Sequence, residues 1–154
     1  MTACVSCDLI ARRDRNEAPD WDCILRTEYW DIVHCNDTSL PGWLVLVLRR
    51  HVSSIADLTE NEAIECGALQ QQLSIALESA VGCMKTYVAQ FAESPEHSHV
   101  HFHVIPRMPD MPDDARGPNV FQRYLGVGEA ERVPEGQMNA IASAVRACLL
   151  AMRE

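Results

Sequence analysis

Six consecutive apolar residues, Trp43–Leu48, follow Pro41-Gly42 and predict a strand buried on both faces. Upstream, Asp22–Arg26 and Glu28–Cys35 are rich in β-branched and aromatic residues and almost touch in sequence, which predicts a hairpin. The plainest helix start lies at Thr59, whose hydroxyl can cap the first turn while Glu62 reaches back to the cap amide. Leu69, Leu73, Ala76, Leu77 and Ala80 then recur at helical spacing, and Gly82 marks the stop. Met84–Phe91 and Ser98–Ile105 read as further strands, and Pro106, which has no amide proton, should end the second or lie at an edge. A short helix over Cys7–Arg12, a polar loop over Arg13–Pro19, a helical segment near Asn119–Leu125 and a helix over Glu135–Arg153 complete the pattern. In the last helix Met138, Ile141, Ala142, Val145, Cys148, Leu149 and Met152 share one face. This order implies an α+β fold, with an antiparallel sheet of about five strands, a long central helix and a C-terminal helix.

A length of 154 residues suits one domain over 1–154, with the core expected at about 4–107 and a C-terminal helical extension at 108–154. No apolar run reaches the roughly 18–20 residues of a membrane helix, and Met1–Leu9 lacks the order of a signal peptide. A cytoplasmic protein without a membrane partner is therefore expected. The net charge of −9 repels polyanions and disfavours a nucleic-acid polymer as partner. It still permits a small phosphorylated ligand where cations such as Arg49, Arg50, Arg107, Arg116 or Arg123 gather. The seven cysteines are an odd number, so reduced thiols are expected, mostly as small buried side chains. Only Cys4 and Cys7 have a spacing that suggests chemistry.

Four of the six histidines fall at 97, 99, 101 and 103. On a strand all four project to one face, about 6.5–7 Å apart, while Val100, Phe102 and Val104 face the core. Neutral imidazole is both a nucleophile toward phosphorus and a metal ligand. Two readings follow: one histidine attacks phosphorus while its neighbours orient it, or two or three hold a catalytic metal with an open position for water. His34, in a predicted strand, reads as a structural histidine with its hydrogen bonds satisfied. Cys4-x-x-Cys7 supplies half of a tetrahedral zinc site that two neutral imidazoles would complete.

The run His99-Val100-His101-Phe102-His103-Val104-Ile105 with Pro106-Arg107 behind it resembles the motif of the histidine triad (HIT) nucleotide hydrolases and transferases. Cys4-x-x-Cys7, Pro41-Gly42 before an apolar strand, Arg50-His51-Val52 and Asp57-Leu58-Thr59-x-x-Glu62 follow the order of that family's N-terminal half. The resemblance implies a HIT-like fold and cleavage at the α-phosphate of a phosphoramidate, dinucleoside polyphosphate or nucleotidyl conjugate. His101 would form a covalent nucleotidyl-histidine, later displaced by water or another acceptor. His103 would bond the phosphate oxygens or the leaving group, and a backbone carbonyl would fix the tautomer of His101. His99 is either a structural member of the catalytic triad or a metal ligand. In the zinc-bearing branch the resemblance makes Cys4, Cys7, His51 and His99 the ligands of a structural Zn2+, with no metal needed for the chemistry. It also implies a homodimer with a sheet continuing across the interface.

The chain departs from the family pattern in four places. Trp43 stands where Pro-Gly-His is usual, and reads as core or as a wall of the ligand site. Ser94-Pro95-Glu96-His97 replaces Gly-Gln-Ser-Val and leaves Ser94 as a phosphate donor. Gln90 replaces an asparagine, and Asn36 or Asp37 is nearest to the aspartate that holds a ribose hydroxyl. With Arg107, these make the expected substrate-binding set Gln90, Ser94, Asn36 and Arg107. Two alternatives are a metal-dependent hydrolase that uses the His cluster as ligands, and a non-catalytic nucleotide-binding module.

Overall fold

Strand residues that alternate between two apolar environments need a layer on each side of the sheet, and the computed structural model, which describes residues 4–154, has both. The strands are β1 (Leu25–Arg26), β2 (Trp30–His34), β3 (Leu44–Leu48), β4 (Lys85–Ala89) and β5 (His101–Arg107). They pair antiparallel in the order β1-β2-β3-β5-β4, so the histidine-bearing strand is internal. The helices are α1 (Val5–Asp14), α2 (Glu60–Val81), α3 (Val120–Tyr124) and α4 (Glu135–Ala151). This is the expected α+β architecture. No helix among the described residues is long and apolar enough to cross a membrane.

Along β3 the even and odd positions part. Leu44, Leu46 and Leu48 join Trp30, Ile32, Val100 and Val104 in a core under α2 and α4, to which Leu73, Leu77, Val145 and Leu149 contribute. Val45 and Val47 turn the other way, into a second core with Val33, Trp43, Ile105, Ile10 of α1 and Val120 of α3. The expected capping box starts α2: Glu62 N–H donates to Thr59 Oγ1 at 3.2 Å and Thr59 N–H to Glu62 Oε2 at 2.7 Å. Gly82 ends the helix in the left-handed conformation, φ 69°.

Four expectations are corrected. Helix α1 reaches Asp14, so Arg13 is not in a loop. It is buried, its Nε donates to the Asp22 carbonyl at 2.7 Å, and its guanidinium pairs with Asp22 at 2.7 Å and Asp31 at 3.3 Å. The hairpin is shorter than expected, since Asp20–Asp22 forms a 3-10 turn that presents the Asp22 carboxylate to Arg13. Of the two expectations for Pro106 the strand end fails and the edge holds, since it sits inside β5, opposite Thr86, with its other side unpaired. The pairing of β5 with β3 stops at Val104, and Arg107 directs its carbonyl to Met84, so the nitrogen of Pro106 faces the side where β3 has ended. Finally, His97 belongs to a 3-10 turn, Pro95–His97, and β5 starts only at His101, so the four imidazoles do not form one strand row.

The Arg13 cluster ties α1 to the sheet. Replacing Arg13 with Ala leaves two carboxylates buried beside it, and the expected loss is about 3–5 kcal/mol in urea unfolding. A change below about 1 kcal/mol would show that Arg12, paired with Asp22 at 2.8 Å, and Arg26, paired with Asp31 at 2.6 Å, suffice without it.

Candidate functional site

Strand β5 holds His101 and His103 on the face of the second core, while Val100, Phe102 and Val104 pack into the first. The histidines open onto a cleft of about 510 Å3. Its apolar wall comes from Leu9, Trp21, Val33, Val45 and Val47, and its polar rim from Asn36, Asp37, Glu93, Ser94 and His97. Phe91 and Phe121, with ring centres 5.3 Å apart, stand beside the histidines.

The backbone fixes the proton on His101. A carbonyl can only accept, so the 2.6 Å contact between His101 Nδ1 and the His99 carbonyl puts the proton on Nδ1. The Nε2 lone pair is left free. Burial pushes His101 below its ordinary pKa, against the opposing pull of that hydrogen bond, so the ring is neutral near pH 7. His103 is pushed down to about 4, chiefly by burial and then by His101, with Asp37 opposing. Its Nδ1 accepts a hydrogen bond from Trp43 Nε1 at 3.0 Å.

His99 does not line the cleft. It is wholly buried, and its Nε2 donates to the Leu48 carbonyl at 2.6 Å, which leaves a lone pair on Nδ1. That nitrogen lies 3.6 Å from Cys4 Sγ, 3.6 Å from Cys7 Sγ and 3.1 Å from His51 Nδ1, while Cys7 Sγ is 3.3 Å from His51 Nδ1. All four donor atoms lie within 4.8 Å of one another. A tetrahedral zinc with ordinary bond lengths separates sulfur from nitrogen by about 3.6 Å and nitrogen from nitrogen by about 3.3 Å, so the donor set fits the ion. Cys4 caps α1 and Cys7 lies in its first turn, where the helix dipole favours thiolates. Without an ion, burial and then Cys4 raise the Cys7 thiol to about 11, so loading the site releases protons. The Leu48 carbonyl orients His99 as the outer partner of a metal-bound imidazole does.

The other expected residues divide. Asn36 and Ser94 line the cleft, as does Asp37; Gln90 and Arg107 do not. Arg107 is at the far end of β5, where its Nη1 lies 2.6 Å from Met84 Sδ. His34 is a satisfied structural histidine: its Nδ1 donates to the Cys35 carbonyl at 2.7 Å and its Nε2 accepts from Gly42 N–H at 2.9 Å. All seven cysteines are free thiols. Sequence reasoning missed the bond from Trp43 to His103 and the contact of His97 with Ser6 Oγ, 3.3 Å away on α1. Neither partner is signalled by local spacing.

No protein-family model and no curated protein matches the sequence. Solved structures do share its fold. A hypothetical histidine triad nucleotide-binding protein from Sulfolobus tokodaii superposes with a TM-score of 0.70 at 12% identity, over 96% of this chain and 94% of that one. A zinc-bound histidine triad family protein from Mycobacterium smegmatis gives 0.66 at 17% identity, over 97% and 95%. The diadenosine triphosphate hydrolase of Plasmodium falciparum, in complex with cyclomarin A, gives 0.63 at 18% identity, over 85% and 78%. The chain has the histidine triad fold.

Proposed function

We propose that the chain is a nucleotidyl hydrolase or transferase of the histidine triad type, acting at the α-phosphate of a phosphoramidate or dinucleoside polyphosphate. One observation carries this reading: the His99 carbonyl holds the proton of His101 on Nδ1 and leaves the Nε2 lone pair facing the cleft. In the first step Nε2 bonds to phosphorus and the leaving group departs with the electron pair of its bond. In the second, water or another acceptor attacks phosphorus and the pair returns to Nε2. Splitting one displacement into two lowers each barrier. The Nε2–H of His103 and the hydroxyl of Ser94 are the donors for the phosphoryl oxygens, Asn36 and Asp37 take the ribose, and the wall around Leu9, Trp21 and Val45 takes the base.

Zn2+ is the ion proposed for Cys4, Cys7, His51 and His99. With four protein ligands it has no open position, so its role is structural. It would clamp α1 to the end of β3 and to the residue whose carbonyl orients His101. The reading as a metal hydrolase with the triad as ligands is disfavoured because His99 faces Cys4, Cys7 and His51 and not the cleft, and because the Trp43 bond occupies the lone pair of His103 Nδ1 and leaves an N–H on Nε2. The substrate is thus a small nucleotide, and the free thiols suit the cytoplasm. A homodimer through β4 is also proposed. It is an edge strand with Val88 exposed, as is Met84 just before it, open to continuation by a second sheet. Light scattering at twice the chain mass is the expected result, and a monomer at micromolar concentration would contradict it.

Adenosine phosphoramidate and diadenosine polyphosphates form the assay panel. The expected product is nucleoside monophosphate from at least one of the two classes, released at a rate that a freshly added chelator does not change. Tight nucleotide binding in calorimetry with no product across the panel would favour the binding module instead.

A further inference from the structure

Trp43 is the third residue of the Pro41-Gly42-Trp43 turn into β3, and it is fully buried. Its indole has one donor and no acceptor. The 3.0 Å bond from Nε1 to His103 Nδ1 therefore requires a lone pair on Nδ1 and places the single proton of His103 on Nε2. The ring is held on its other sides. Phe121 meets both Trp43 and His103 edge-on at 5.3 Å, and His101 stacks edge-on at 5.0 Å. The charged or titratable groups facing His103 are Asp37 from the loop after β2 and His101 on its own strand.

A second proton on His103 would set one N–H against another, and the bond to Trp43 would have to break. We propose that Trp43 is a positioning residue that locks His103 as a neutral donor, so that the site turns over substrates whose leaving group departs as a stable anion. This rests on the nucleotidyl-transfer reading above. The direction of the His103 shift, down to about 4, agrees with a ring that does not take up a proton near pH 7.

The balance of the first step shows the consequence. The His101 Nε2 electron pair forms the bond to phosphorus, the bond from phosphorus to the leaving oxygen breaks, and that oxygen leaves with the pair. His103 donates a hydrogen bond from Nε2 but keeps its proton, because giving it up would make an imidazolate. A phosphate, pyrophosphate or aryloxide leaves readily in this way. An alkoxide or alkylamide does not, because it needs a proton that His103 cannot deliver. In the second step the proton of the attacking water passes to solvent or to the departed anion, and the His101 pair is restored. This selects anhydrides and aryl esters over alkyl esters and phosphoramidates, and within the assay panel the diadenosine polyphosphates over adenosine phosphoramidate.

The test uses the whole protein and one phosphorus centre with two leaving groups, the p-nitrophenyl and methyl esters of adenosine 5′-monophosphate. The first expected result is turnover of the aryl ester far above a slow, measurable turnover of the methyl ester by the native protein. The second is a fall of about a hundredfold in the aryl-to-methyl ratio of kcat/KM in Trp43→His, the scale of a restored general acid. In that variant a histidine can accept the Nδ1 proton and let His103 cycle. Trp43→Phe, which only removes the donor, should move the ratio the same way. Imidazole 15N shifts of the native protein should show His103 as the Nε2–H tautomer, a readout that requires no variant to fold. A ratio unchanged in both folded variants, or an Nδ1–H tautomer with the aryl ester still turned over, would overturn the lock. Failure to turn over either ester would instead overturn the enzymatic reading, and the selectivity with it.

Discussion

Replacing His101 with Asn is expected to lower turnover of every substrate that the native protein cleaves by about 10⁴–10⁶-fold, the scale seen when a covalent nucleophile is removed. The choice of Asn matters. Its side-chain amide can still donate to the His99 carbonyl, which the native ring meets at 2.6 Å, so the end of β5 keeps its hydrogen bond. What disappears is the Nε2 lone pair. The loss should appear in kcat, with nucleotide affinity retained, because the walls around Leu9, Val45 and Asn36 are untouched. Unfolding midpoints within about 1 kcal/mol of native would separate lost chemistry from lost structure. Residual activity above a few per cent would mean that another group attacks phosphorus.

The second large effect is expected on stability. Removing the metal with a chelator, or replacing Cys7 with Ser, should lower the melting temperature by about 8–16 °C. The figure combines about 4 kcal/mol for an ion held a thousandfold above its Kd with about 2–4 °C per kcal/mol at this chain length. Metal analysis should return one zinc per native chain, a count that the four donors of the cluster imply. The order of events is the decisive detail. Loss of activity should track loss of structure, since the ion would reach β5 only through His99, two residues before that strand starts. Immediate loss in a folded protein would make the metal catalytic, and a Cys7→Ser protein as stable as native would remove the metal.

Signals carried within one stretch of chain were legible in the sequence. The apolar run at 43–48, the Thr59 and Glu62 capping pair and the alternation of His with apolar residues at 99–104 depend on neighbours, so β3, α2 and the core face of β5 followed from them. The Cys4-x-x-Cys7 half of the four-donor cluster was legible from its spacing, but its partners His51 and His99 only through the resemblance, because Cys4 and His99 are 95 residues apart. Residues whose role depends on a distant partner were misread. Arg13 looked like loop because Asp22 and Asp31 gave no sign that they would surround it. Trp43 looked like plain core or wall because an indole donor matters only once β3 and β5 pair in register, with Val45 opposite His103. His97 was placed in a strand row that Pro95 breaks into a 3-10 turn. Arg107 was expected at the phosphate because it follows the triad, yet the rise of a strand carries it about 20 Å from His101.

The most direct measurement is rapid quenching of the native protein during turnover of a nucleotide substrate, followed by peptide mass mapping without acid. The account predicts a nucleoside monophosphate adduct on the peptide containing His101, formed and consumed at rates compatible with kcat and absent from His101→Asn. Full turnover with no adduct at position 101, or the same adduct on another residue, would contradict it.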